Sequence, residues 1–148
     1  MFEAVSDEGD RIRIHELIGL HGHLMDEGQF DRLDEILTSD VVYDVSALGG
    51  GQLAGIAAVA QAGRSLGEAN PLGHHVTNVV VLDIDGDRAW VRSKGLAVMS
   101  SGAAGSVVYD DELRRTDQGW RIAVRRVLTR NAPLQPSDAA ARDVRGAR

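Results

Sequence analysis

The side chains best suited to move a proton near neutral pH are the five histidines, His15, His21, His23, His74 and His75. His21 falls on the apolar stripe formed by Ile14, Leu17, Ile18 and Met25 at helical spacing, whereas His15 and His23 read as solvent residues. A histidine on such a stripe is either a satisfied core residue or a pocket group. His74 and His75 are adjacent in a β-branched run, so one of them at most faces a pocket. Strand parity leans toward His74, because Asp83 marks the face it shares with His75 as wet. Asp26 stands at the end of the first helical stretch, where a carboxylate opposes the helix dipole unless something compensates it. Farther along, Tyr109 and Asp111 share one strand face, and Arg126 shares another with Trp120, Ile122, Val124 and Leu128. A charged group among apolar neighbours needs a partner or a role, since burying it alone costs several kcal/mol. Asp111 is the candidate partner, and anchoring a substrate is the alternative role.

Other chemistries are excluded or unsupported. The chain has no cysteine, which removes disulfides, thiolate nucleophiles and thiolate-bound metal. No phosphate-cradling glycine loop or Gly-x-Ser-x-Gly elbow occurs, so neither a nucleotide cofactor nor a serine hydrolase has support, and no cofactor is expected. Adjacent strand histidines diverge, so no metal site is expected. A formal charge of −6 argues against nucleic acid as a partner. The acidic start of the chain and the absence of a long apolar run point to a cytoplasmic protein without membrane contact.

The elements that must position these groups follow from periodicity. With 148 residues, 43% of them apolar, the chain is long enough for one core. Helical spacing marks a helix from Asp7 to Gly28, a short one over Phe30 to Leu37, and an Ala-rich one from Gly55 to Ala69 that stops before Pro71. Val41 to Val45 reads as a strand. The second half turns to β-branched alternation: strands over His75–Ile84, Arg88–Met99, Val107–Arg115 and Trp120–Arg130, joined by Asp85-Gly86, a glycine-rich link and Thr116-Asp117-Gln118-Gly119. Helices followed by an antiparallel meander predict an α+β domain over residues 1–130, with 131–148 a tail that is flexible or contacts a partner.

The order of these pieces resembles a family. Ile14-His15-Glu16-Leu17, Met25-Asp26-Glu27-Gly28-Gln29-Phe30-Asp31-Arg32-Leu33 and Asp40-Val41-Val42-Tyr43 resemble the opening of a SnoaL-like domain of the nuclear transport factor 2-like superfamily. His74-His75-Val76-Thr77-Asn78, Asp85-Gly86-Asp87-Arg88-Ala89, Tyr109-Asp110-Asp111-Glu112-Leu113 and Gly119-Trp120-Arg121-Ile122 continue it to about Arg130. The resemblance implies a cone-shaped, curved, mixed or antiparallel sheet wrapped around N-terminal helices and enclosing an apolar pocket. It also implies a homodimer or homotrimer and a small apolar ligand. In the dehydratases and the dehydrochlorinase of that superfamily, an Asp ending the first helix orients a His that removes a proton. Carried over, these are Asp26 and His74, or His75 if the register slips by one. His21, His75, Tyr109 and Arg126 become the polar groups that meet the substrate. Scytalone dehydratase's two pocket tyrosines fall on Met25 and Val45, which puts that substrate in doubt. The expected activity is a lyase or isomerase reaction of the dehydratase, dehydrochlorinase or cyclase type. A non-catalytic ligand-binding or assembly protein is the alternative. A third reading, water attack on an epoxide, would use Asp111 and Arg126.

Overall fold

A computed structural model describes residues 2–134, and the remainder of the expected tail lies outside the described residues. Helix α1 (Phe2–Asp26) is followed by a 3-10 turn over Phe30–Glu35, strand β1 (Leu37–Asp44), the short β2 (Gln52–Ala54) and helix α2 (Ile56–Leu66). Then come the long strands β3 (Gly73–Asp85), β4 (Arg88–Val98), β5 (Ala104–Thr116) and β6 (Gly119–Thr129). The six strands form one sheet in the order β2-β1-β6-β5-β4-β3. β3 to β6 make the expected antiparallel meander, and β1 joins it parallel to β6, so the sheet is mixed. It curves without closing into a barrel, which leaves β3 as an edge strand.

Two expectations change in detail. The Phe30 to Leu37 segment is a 3-10 turn rather than an α-helix, and its last residue already belongs to β1. Beyond the expected Val41 to Val45 strand, the glycines at 49–51 lead into a short strand not expected from the sequence, β2, which pairs back on β1.

α1 packs mainly along β3 and also reaches β6, burying Ile14, Leu17, Ile18 and Leu24 against Val81, Val91, Leu113 and Ile122. Two polar clamps fix its position. Toward its start, Arg115 donates to both Asp10 carboxylate oxygens at 2.9 and 2.6 Å, and Trp120 Nε1 donates to the same carboxylate at 3.1 Å. The hydrogen bonds from Arg115 hold the Asp10 carboxyl below its ordinary pKa, against the opposing effect of burial. Sixteen residues later, about 24 Å along the axis, Asp26 makes the second clamp. The helix is thereby pinned across the concave face of the sheet at both ends.

The alternation of faces in the meander is broken at three points. In β3 the register shifts between Thr77 and Val80, where Asn78 adopts φ 53°, and again between Val81 and Asp83. In β6, Ile122 pairs with Leu113 and Val124 with Glu112, so Ala123 is an extra residue in the ladder. Each bulge moves the following residues to the opposite face.

Candidate active site

Asp26 is the last residue of α1 and His74 the second of β3. Because β3 is an edge strand, its outward main-chain N–H groups need acceptors from elsewhere. The N–H of His74 donates to Asp26 Oδ1 and Oδ2 at 2.9 and 3.0 Å. The ring Nδ1 of the same residue lies 2.6 Å from Oδ1. A carboxylate only accepts, so Nδ1 carries the hydrogen, and in the neutral form of the ring Nε2 has the lone pair. These contacts also compensate a negative charge that the helix dipole disfavours. The approach depends on Gly22, one turn back along α1, because a Cβ there would collide with the carbonyl oxygen of His74. The side chains of Asp26 and His74 are 25% and 19% exposed, so the pair keeps contact with solvent.

Behind the pair stands a buried aromatic and polar wall. His21 is 2% exposed, and its ring centroid lies 6.4 Å from that of His74, edge-on, and 5.9 Å from that of Tyr109. Its Nε2 shares a 3.0 Å hydrogen bond with the hydroxyl of Tyr43, a residue of β1. Burial, then the nearby charge of Arg125 and the proximity of His74, push its pKa well below the ordinary histidine value, so the ring is neutral. Burial likewise raises Tyr43 and Tyr109, which remain protonated donors. Tyr109 lies flat on β4 because residue 95 is glycine: a Cβ there would come within 2.6 Å of its ring.

Under this wall runs an ion pair with no exposed side-chain surface. Arg125 Nε and Nη2 donate to Asp111 Oδ1 and Oδ2 at 2.8 and 2.7 Å. The guanidinium carbon sits 4.1 Å from the Tyr109 ring centroid and 5.9 Å from that of Tyr43. Burial disfavours the charged guanidinium, but the Asp111 carboxylate outweighs that and holds its pKa above the ordinary value.

The structure therefore brings together Asp26, His74, His21 and Tyr109, and leaves two expected residues outside. His75 is exposed on the opposite side of β3. Arg126, expected inward with Trp120 and Ile122, is on the outer face: its side chain is 52% exposed and 3.7 Å from Glu112. The bulge at Ala123 is the reason, since it carries Arg125 and Val127 inward and Arg126 outward. Arg125 and Tyr43 are the site residues that sequence reasoning missed. Tyr43 was readable from its alternation with Val41 in β1. Arg125 was not, because nothing in the local sequence announces the bulge.

On the outer face of the sheet, Val80, Val108 and Leu128 line an open groove of about 790 Å³, with Lys94 and Arg130 at its sides; none of the dyad residues borders it. Among the described residues no three His, Asp or Glu side chains gather as a metal would require, and no helix is long and apolar enough to cross a membrane.

A helix-covered curved sheet of this order defines an α+β protein with the nuclear transport factor 2-like, cystatin-like fold. An NTF2-like protein of Novosphingobium aromaticivorans with that fold matches at a TM-score of 0.75 and 28% identity, over 94% of this chain and 90% of its own. A scytalone dehydratase-like protein of the same organism matches at a TM-score of 0.73 and 17% identity, over 86% and 89% of the two chains, which bears on fold alone. The chain belongs to the SnoaL-like domain family, whose pattern it matches over residues 9–126. The uncharacterized protein Rv2910c of Mycobacterium tuberculosis is 33% identical over 135 residues, covering 86% of this chain and 89% of its own.

Proposed function

We propose that this protein is a lyase or isomerase of the dehydratase, dehydrochlorinase or cyclase type. It acts without a cofactor on a small apolar molecule, in a reaction that begins when His74 Nε2 removes a proton. Asp26 fixes the tautomer that exposes the Nε2 lone pair and stabilises the imidazolium that forms. His21 and Tyr109, nearly buried behind His74, make the neutral polar wall of the site, and Met25, Val45, Val76 and Val107, partly buried around the core, supply apolar surface. The observation that carries this reading is the 2.6 Å contact between His74 Nδ1 and Asp26 beside a partly exposed ring. A buried structural pair would have no route to a substrate.

The test is the tautomer of His74, read from its ring 15N shifts in the wild type and in Asp26→Asn. In the wild type Nδ1–H should dominate among the neutral forms. The side-chain amide introduced by Asp26→Asn cannot reproduce this arrangement. Whichever way it turns, its NH₂ faces a donor, either the main-chain N–H of His74 or the ring Nδ1–H. The Nδ1–H form should therefore lose its dominance in the variant. If both proteins give the same tautomer, or the wild type holds its hydrogen on Nε2, His74 is not a prepared base, and a non-catalytic binding role becomes the better reading.

We also propose that the protein is a homodimer or homotrimer. Val80, Leu96 and Leu128 are exposed on the outer sheet face, and a monomer mass by sedimentation velocity at micromolar concentration would refute this.

A further inference from the structure

Proton abstraction needs a place for the substrate beside His74, and the register of β3, β4 and β5 defines one. His74 lies opposite Ala97 of β4, and Ala97 opposite Gly105 of β5, so the three form one row across the concave face. In the row below it, Val76, Gly95 and Val107 stand opposite one another, and the Tyr109 ring covers Gly95. Glycine weakens a strand, and one reason to carry it is close approach of another group to the backbone. For Gly95 that group is the Tyr109 ring. For Gly105 no described residue plays the part: a Cβ there would meet open space, and the residue is exposed. Helix α1, which covers the deeper rows, ends at Asp26.

Beside His74 there is therefore a floor of strand backbone that carries only the methyl group of Ala97. Tyr109 closes it at the back, with Val76 and Val107 at either side. A floor without larger side chains is flat. A planar ring lying on it touches the backbone over its whole face, whereas a globular molecule touches it at few atoms, and dispersion attraction weakens steeply over a gap of about 1 Å. We propose that Gly105 is a specificity-determining residue: the floor that it makes with Ala97 selects a flat, apolar ring as the substrate and seats it beside His74. This rests on the proton-abstraction reading of the Asp26–His74 pair and adds the shape of the substrate to it.

The experiment titrates 2-naphthol and 1-adamantanol, a flat and a globular alcohol of equal carbon number, against the His74 ring signals. It uses the wild type, Gly105→Val and Ser106→Val. Gly105 does not have a left-handed φ, so valine should be accepted there without lowering the melting temperature, and its side chain would stand on the floor. Ser106, opposite Leu96 on the outer face, is the control. In the wild type 2-naphthol should move the His74 signals and bind at least about tenfold more tightly than 1-adamantanol. Gly105→Val should weaken 2-naphthol by about tenfold or more while the His74 tautomer stays as in the wild type, and Ser106→Val should bind it normally. The proposal is overturned if Gly105→Val binds 2-naphthol as tightly as the wild type, or fails to fold by circular dichroism, since the space would then not be open. Equal weakening in Ser106→Val, 1-adamantanol binding as tightly as 2-naphthol, or neither probe binding also overturns it. Failure of the proton-abstraction reading shows separately, as a His74 tautomer indifferent to Asp26→Asn without any ligand present.

Discussion

Removing one member of the Arg125–Asp111 pair should cost far more than removing both. Neither side chain has exposed surface, and the two N–H···O contacts are 2.8 and 2.7 Å, so each charge has given up water for a single partner. Arg125→Met strands a carboxylate in the core and Asp111→Leu strands a guanidinium. Uncompensated buried charges of this kind cost about 3–5 kcal/mol each. The two losses differ in their response to acid. A stranded Asp111 can take up a proton, and burial already pushes its pKa upward, so the Arg125→Met loss shrinks as pH falls. A stranded Arg125 cannot shed its charge. The double variant exchanges the pair for apolar volume and should stay within about 2 kcal/mol of the wild type, giving a coupling energy of several kcal/mol. Urea denaturation followed by the fluorescence of buried Trp120 and by circular dichroism measures all four proteins. At about 2–4 °C per kcal/mol for a domain of this size, each single variant should melt roughly 6–20 °C lower. Single losses below about 1 kcal/mol, or a double loss equal to the two singles combined, would refute the picture of a desolvated, mutually dependent pair.

Three further outcomes follow from the same geometry. His21 stays neutral when folded but takes up a proton below about pH 6.5 when unfolded. Its contribution is therefore intact above that pH and is lost on acidification, at about 1.4 kcal/mol per pH unit while the folded ring resists protonation. Stability-versus-pH curves should be flatter over this range in His21→Gln, and parallel curves would contradict it. Gly22→Ala should destabilise by roughly 1–3 kcal/mol, because its Cβ meets the His74 carbonyl and forces α1 off the edge strand. Gly19→Ala, in the same helix with open space around it, should instead stabilise by about 0.5–1 kcal/mol; thermal melts of the two decide. Arg126→Ala should change stability by no more than about 0.5 kcal/mol, as expected for a half-exposed cation 3.7 Å from its partner.

Which parts of this molecule were legible in its sequence depends on whether a residue's face could be counted from its neighbours. α1, α2, β1 and the four long strands were legible as elements, since each has a run of periodic or β-branched residues with clear turn residues nearby, whereas the faces within β3 and β6 change at their bulges. The pairing of Asp26 with His74 came from the family resemblance; parity added a leaning to His74. Two register shifts separate His75 from Asp83, after Thr77 and after Val81, and since each moves the chain to the other face they cancel, so the two residues still share a face, opposite Leu96 and Trp90 of β4. In β6 a single shift has no such counterpart, and it put Arg126 in the place of Arg125. A bulge is stabilised by the neighbouring strand and by packing across the sheet, and neither is visible in a window of one strand. Gly22 and Gly95 were silent for a related reason, because what they admit, a strand carbonyl and a tyrosine ring, comes from distant parts of the chain.

The bulge also explains how one fold meets opposing demands on β6. Before Ala123, Trp120 and Ile122 face α1 and fill the core. An unbroken strand would continue with Val124 and Arg126 on that face, and Arg126 would have to enter the core. The extra residue instead brings in Arg125, directly opposite Asp111 on β5 and so able to make both hydrogen bonds of a bidentate pair. The exchange leaves Arg126 near Glu112 on the outer face, where Arg88 also pairs with that carboxylate. One inserted residue thus sorts two adjacent arginines, one into the wall behind His74 and the other toward solvent. Deleting Ala123 should therefore keep the sorting, because Val124 then follows Ile122 directly and the ladder runs unbroken with Arg125 still opposite Asp111, and Ala123→Ser, which keeps the bulge, should likewise leave the pairing of β5 with β6 intact.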